Sequence, residues 1–304
     1  MPTVNNYLSL VKFSHTIFAM PFALIGFFIG IFQSKKHNNT VSDIGINEFK
    51  NFDFRNISIK LLLVIICMVT ARSAAMAFNR WLDKNFDAKN PRTAIREIPA
   101  GMISANSALL FVVISCMVFI VCTFFINAIC FYLSPVALLV ILFYSYTKRF
   151  TPLCHLVLGL GLALAPIGAY LAVTGSFNLL PILFSLAVLC WVSGFDIIYA
   201  LQDIDFDRSQ NLQSIPVLLG KKNALLVSKV LHFSSAFFII YAGYLSAVGW
   251  LYWLGAAVFI GMLIYQHSIV KPNDLRRVNI AFMTANGIAS VVFASFVIID
   301  LFLK

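Results

Sequence analysis

Residues 72–101 read RSAAMAFNRWLDKNFDAKNPRTAIREIPAG. The stretch starts inside an apolar run of membrane grade and leaves it carrying Asn79, Asp83 and Asp87. On a helix, positions four apart fall along one face, so three oxygen-bearing side chains are expected to point the same way. Acidic groups at the end of a membrane helix are costly to desolvate, and a chemical purpose is the default reading. Residues 196–207, DIIYALQDIDFD, repeat the device: Asp196, Tyr199, Asp203 and Asp207 again share one helical face.

The surrounding chain is built for a bilayer. Of 304 residues, 61% are apolar and 11% charged, where a soluble domain carries roughly 25% charged residues. The apolar runs are continuous and roughly 20 residues long, as a spanning helix requires, and not the alternating shorter segments of a barrel. The expected fold is all-α: one polytopic membrane domain over residues 1–304, with about nine transmembrane helices. The 30 Phe residues suit lipid-facing packing. Cys67, Cys116, Cys122, Cys130, Cys154 and Cys190 lie in or beside apolar runs without a C-x-x-C pair, and read as packing residues. No cleavable leader is evident, because the first apolar run is long enough to span.

Hydropathy places spans near 13–32, 57–78, 107–125, 128–146, 156–173, 179–198, 224–242, 245–265 and 280–302. The second and sixth helices are expected to run on to about Asp87 and toward Asp207. Alternate links differ in charge. Those around Asn127, 176–178 and 243–249 lack Lys and Arg, whereas the opposite links hold Lys84, Arg92, Arg96, Lys148, Arg149, Arg208 and others. By the positive-inside rule the motif loops near 84–104 and 203–222 are cytoplasmic, with the amino terminus. An odd number of spans puts Lys304 outside. A polar insert near 34–56 then lies on the non-cytoplasmic side, against the trend of its five bases from Lys35 to Lys60. The net charge of +10 sits beside membrane helices, where topology and anionic lipid account for it. No nucleic-acid partner is read from it.

Seven of the twelve acids lie in the two motif segments, so the acids concentrate where the bases do. Mg²⁺ prefers oxygen ligands and is commonly held by one or two carboxylates together with substrate phosphates. Asn79, Asp83, Asp203 and Asp207 offer such a set, with Asp87 beside them. Arg92, Arg96 and Lys148 are placed to neutralise diphosphate oxygens, and Arg binds two oxygens at once. Arg149 is a further candidate. Asp205 falls off the helical face and reads as a solvated loop residue. Arg72 lies about two turns deeper than Asn79. A buried Arg needs an anion, either Asp196 of the sixth span or a substrate carboxylate. His15 and Asn286 read as polar groups between helices, and Gly159 and Gly161 as sites of close helix packing.

Together these residues resemble the two aspartate-rich motifs of the UbiA family of intramembrane aromatic prenyltransferases. Asn79-x-x-x-Asp83-x-x-x-Asp87 matches the first motif, and Asp196-x-x-Tyr199-x-x-x-Asp203-x-x-x-Asp207 matches the second. Arg92-Thr93, Arg96, Pro99 and Gly101 resemble the loop after the first; Ser214-Ile215-Pro216 and Gly220 resemble the segment after the second. The resemblance implies helices around a central prenyl-diphosphate cavity. A polyprenyl diphosphate would be held with Mg²⁺ at the cytoplasmic rim, its tail lying between helices and open to lipid. Asn79, Asp83, Asp203 and Asp207 would be the catalytic and metal residues. Asn79, Asp87, Arg92, Arg96 and Lys148 would hold the diphosphate. Arg72, Asp196 and Tyr199 would bind an aromatic acid acceptor of the 4-hydroxybenzoate type, in respiratory quinone synthesis at a bacterial inner membrane.

The chain departs from the 4-hydroxybenzoate enzymes where it has Ala75-Met76 and Asn79-Arg80. Those residues resemble a branch, part of which is associated with menaquinone synthesis and a dihydroxynaphthoate acceptor. Within the family, haem farnesylation is the other alternative. From another class, a secondary transporter would place its coupling acids near the midplane, whereas these acids cluster at one rim. A non-catalytic scaffold would leave the paired acidic faces without a reason.

Overall fold

The computed structural model describes residues 3–12, 18–38 and 54–303. His15 and residues 39–53 of the polar insert lie outside them. A short helix α1 (Val4–Leu10) precedes α2 (Met20–Asn38), α3 (Phe54–Leu82) and the short α4 (Lys84–Lys89). Then follow α5 (Ala105–Ile126), α6 (Ala128–Thr147), α7 (Cys154–Thr174), α8 (Leu179–Ala200) and the short α9 (Ile204–Ser209). Helices α10 (Ile215–Leu245) and α11 (Trp250–Ile269) lead to a π-helical turn (Ile280–Ala285) continuous with α12 (Asn286–Leu303). Eight of these helices are long and apolar enough to cross a membrane, and the apolar Met20–Ser34 of α2 makes a shorter ninth. The spans read from hydropathy correspond to this order, most ends being displaced by a few residues; the first, read as 13–32, begins among residues outside those described, and its helix α2 runs on to Asn38. The seventh starts earlier: α10 begins at Ile215 and bends at Gly220, whose φ of 73° is left-handed.

Helix ends are set by side-chain caps. The side chains of Ser104, Asn127, Asn178 and Ser214 accept from the first free amides of α5, α6, α8 and α10. Asn127 also donates to the Leu171 carbonyl at 2.8 Å, tying the α5–α6 turn to the end of α7. Gly175, at φ 65°, closes α7. The cap of α11 comes from another helix. Buried Asp300 of α12 accepts from the Gly249 amide at 2.7 Å.

With lipid as solvent, apolar burial drives helix association weakly, so close contact and internal hydrogen bonds matter more. Helix α7 crosses α8 where a Cβ on Gly159 would stand 2.5 Å from the Leu189 carbonyl oxygen and 2.3 Å from Ser193 Oγ. It meets α2 where a Cβ on Gly26 would fall 2.0 Å from the Pro166 carbonyl oxygen. Gly161 has more room, its nearest neighbours being 3.9 Å away. Behind α7, Trp191 packs among Phe22, Phe195 and Phe259. Its indole donates to Asn286 at 2.8 Å, and Gln266 donates to the same oxygen at 2.7 Å. Asn286 thus joins α8, α11 and α12, the role between helices expected of it.

Gly159→Val drives a side chain into the Leu189 backbone carbonyl, which cannot turn aside as Ser193 Oγ can. It should cost about 1–3 kcal/mol, read as a lower thermal midpoint in detergent, while Gly161→Ala leaves the midpoint unchanged or raises it.

Candidate active site

The two motif helices both stop short of the expected length. Helix α3 ends at Leu82 and α8 at Ala200; α4 and α9 restart after Asp83 and Asp203. The two aspartates share one backbone geometry, φ −92° with ψ 6° and φ −106° with ψ 5°. The continuous acidic faces read from the spacing are therefore each bent at the middle aspartate. At Asp83 the cause is visible. Arg149, just past α6, donates to the Leu82 carbonyl at 3.2 Å and to the Asp83 carboxylate at 2.8 Å. A guanidinium is a favourable cap for free carbonyls at a helix end.

The bends turn the acids inward to line a polar chamber of about 300 Å³. Asn79, Asp83, Asp87, Arg92, Arg96, Lys148, Arg72, Asp196, Tyr199, Asp203 and Asp207 all lie on its wall. Asp205 is exposed and is not part of that wall. Each rim carboxylate meets one base. Arg96 contacts Asp87 and Lys148 contacts Asp207, each at 2.7 Å. Arg92 crosses from the first motif loop to the second motif, holding both oxygens of Asp203 at 3.1 and 2.7 Å and donating to the Tyr199 hydroxyl at 3.0 Å. Asn79 donates to Asp83 at 3.1 Å. The loop that presents Arg92 is folded by Asn90, which accepts from the Arg92 amide, and by Thr93, which donates to the Asp87 carbonyl.

Bases do not fully offset this burial. Burial, ahead of the pull of Arg149, holds the Asp83 carboxyl above its ordinary range. Burial likewise raises Asp207 despite Lys148. Lys148 is itself opposed by burial, but the Asp207 charge outweighs it and the ammonium is held above its ordinary value. Buried Oδ2 atoms of Asp87 and Asp207 have no hydrogen-bond partner. Among the described residues no three acidic, His or Cys side chains converge tightly enough to hold a metal unaided. An all-oxygen donor set, two orphaned carboxylate oxygens and incomplete charge compensation fit a hard divalent cation that takes its remaining ligands from phosphate and water.

Deeper in the chamber, Arg72 does not pair with Asp196, the partnership the sequence left open. Asp196 instead receives His155 Nδ1 at 2.6 Å, and Arg72 Nε is buried without a partner. His155, Tyr144 and Asn90 also line the wall, and sequence reasoning did not single them out. Tyr144 stands four residues before Lys148 on α6, a spacing that signals one shared face. Nothing local marks His155, whose partner is 41 residues away. A second, apolar chamber of about 390 Å³ lies among α3, α5, α6 and α7. Both chambers are bounded by Arg72, Met76, Tyr144, Leu158 and Leu162. Leu133 and Val136 line the apolar one and are also exposed on the outer surface, so it opens toward lipid.

The UbiA prenyltransferase family profile matches residues 51–288. The chain belongs to the UbiA prenyltransferase family. It is an integral membrane protein of that family, and a prenyltransferase. A 4-hydroxybenzoate octaprenyltransferase of Tolumonas auensis is 31% identical over 238 residues, 78% of this chain and 83% of that protein. The enzyme of the same name from Aeromonas salmonicida is 29% identical over 241 residues, covering 78% and 82%. The apo structure of a UbiA homolog from Aeropyrum pernix K1 superposes with a TM-score of 0.74 at 27% identity, over 95% of this chain and 97% of that one. A UbiA homolog from Archaeoglobus fulgidus, solved with DMAPP and Mg²⁺, shares the fold at 18% identity and a TM-score of 0.72, over 98% and 100% of the chains.

Lys148→Met leaves Asp207 buried and unpaired, and should cost roughly 3 kcal/mol of stability. Adding Asp207→Asn should recover most of that loss in thermal denaturation while turnover stays absent. A double variant no more stable than Lys148→Met alone would show that the two groups are not coupled.

Proposed function

We propose that this UbiA protein transfers a polyprenyl group from a polyprenyl diphosphate to an aromatic acid of the 4-hydroxybenzoate type, in respiratory quinone synthesis. The observation that carries this is the junction of two chambers. One is rimmed by paired acids and bases, the other is apolar and open to lipid, and buried Arg72 stands where they meet. A diphosphate fits the first, an isoprenoid tail the second, and the scissile bond then lies near the junction. The printed names of the Tolumonas and Aeromonas relatives support the same acceptor class.

In this reading Arg92, Arg96 and Lys148 hold diphosphate oxygens, and Arg149 stands beside them. Asn79, Asp83, Asp203 and Asp207 hold Mg²⁺, with Asp87 close to the diphosphate. The bound cation supplies electrostatic stabilisation of charge on the departing diphosphate. The four bases that face these carboxylates line the chamber in which that charge would develop. Arg72 grips the acceptor carboxylate, and Asp196 and Tyr199 border the acceptor ring. The basic motif loops support, by the positive-inside rule, a site on the cytoplasmic side, and the bacterial relatives support an inner membrane as its home.

A dihydroxynaphthoate acceptor is the second reading. Met76 and Arg80, which depart from the 4-hydroxybenzoate pattern, both line the polar chamber. Isolated membranes given a long-chain prenyl diphosphate, with and without Mg²⁺, separate the two. Prenylated 4-hydroxybenzoate formed only with Mg²⁺ is the expected product by mass spectrometry. Product from a naphthoate alone would replace the acceptor, and none from any acceptor would return the reading to transport. Asp83→Asn and Asp203→Asn should each abolish turnover in protein that still inserts. Arg72→Ala should raise the acceptor KM about tenfold or more, the loss of one charged hydrogen bond, and leave prenyl diphosphate binding unchanged.

A further inference from the structure

Prenylation of a ring carbon ends with loss of that carbon's proton, and some group must receive it. Five carboxylates line the polar chamber: Asp83, Asp87, Asp196, Asp203 and Asp207. Four are engaged by Arg149, Arg96, Arg92 and Lys148. Asp196 differs, because its ion-pair partner among the described residues is His155, at 2.6 Å through Oδ2. It also lies deeper. Seven residues separate it from Asp203, as seven separate Arg72 from Asn79, and the latter stretch of α3 is about 10 Å long. Arg72 and Asp196 therefore border the chamber at similar depth below the rim.

His155 is held firmly. It is 2% exposed, its carbonyl accepts from Ser193 Oγ at 3.1 Å, and Gly159, one turn along α7, brings the two helices into contact. Its Nδ1 is committed to Oδ2 of Asp196, a residue that is only partly buried and lines the chamber.

Resting on the aromatic-acceptor reading above, we propose that Asp196 is the catalytic proton acceptor for the ring carbon and that His155 is its positioning residue. As the allylic C–O bond breaks, diphosphate departs with the bonding electrons, and the ring carbon forms the new C–C bond. The electrons of its C–H bond then return to the ring, and the proton passes to Oδ1 of Asp196. Nδ1–H of His155 keeps the carboxylate turned to the ring throughout. Diphosphate-facing acids are poor candidates for this step because bases or metal already claim their oxygens. The contact with His155 engages Oδ2 of Asp196, and Oδ1 enters no ion pair among the described residues.

The test uses the full-length protein in membranes, with 4-hydroxybenzoate deuterated at both carbons ortho to the hydroxyl. In the unaltered enzyme kcat should show no deuterium effect. Asp196→Asn should lower kcat by about 100-fold, the usual contribution of a positioned base, and proton loss should become slow enough to give a primary deuterium effect. His155→Ala should show a smaller loss with the same isotope signature, and the KM for prenyl diphosphate should not move. His155→Gln, which keeps a donor toward Asp196, should restore much of the rate. Slow variants with no isotope effect would overturn the proton-acceptor role, since a merely structural fault slows every isotopologue alike. If the unaltered enzyme makes no product from any hydroxylated aromatic acid, the acceptor reading falls, and this inference falls with it. Should His155→Ala fail to insert, Asp196→Asn and His155→Gln decide the matter.

Discussion

A buried charge at the edge of a bilayer is costly to leave unpaired, and that constraint organises the rim of the molecule. Four carboxylates at the rim meet four bases, and all of these bases but Arg96 come from parts of the chain distant in sequence. Arg149 reaches back from the end of α6 to Asp83, and Arg92 reaches forward to Asp203 on the second motif. Each contact satisfies two groups that would otherwise be costly to desolvate. Together they join the two halves of the bundle at the rim, while Asn286 joins α8, α11 and α12 in the core. The same pairs leave two carboxylate oxygens unsatisfied, so the network that closes the fold also stays receptive to a cation.

Much of this was legible because the bilayer imposes a simple rule of length and polarity. A continuous apolar run of spanning length has few structures open to it, and so the helices from α3 to α12 follow the hydropathy reading closely. The acids at 79–87 and 196–207 stood out for the same reason, as polar groups where polarity is expensive. What spacing could not show is the bend at Asp83 and Asp203. Local propensity carries helix through both motifs, and at Asp83 a guanidinium 66 residues away interrupts it. Nor could it show that Asp196 belongs to His155 rather than Arg72. An i+4 ladder reports which residues share a face, but not which neighbouring helix that face meets.

Depth supplies a second ordering. Rim, junction and apolar chamber follow one another along α3, from Asp83 through Met76 and Arg72 to Met68 and Val64. The helix thus presents a charged end, a single deep guanidinium and an apolar wall in sequence. This is why Arg72 matters beyond its charge. It is the last ionic group before the hydrocarbon lining begins, and its Nε has no hydrogen-bond partner.

The outward opening of the apolar chamber, past Leu133 and Val136, has a consequence of another kind. A molecule entering there arrives from the plane of the membrane, and what governs its supply is surface density rather than concentration in water. Lateral diffusion and acyl-chain order then become part of the rate law. Two cells with the same amount of this protein and of its substrate, but with bilayers of different fluidity, would run the reaction at different speeds.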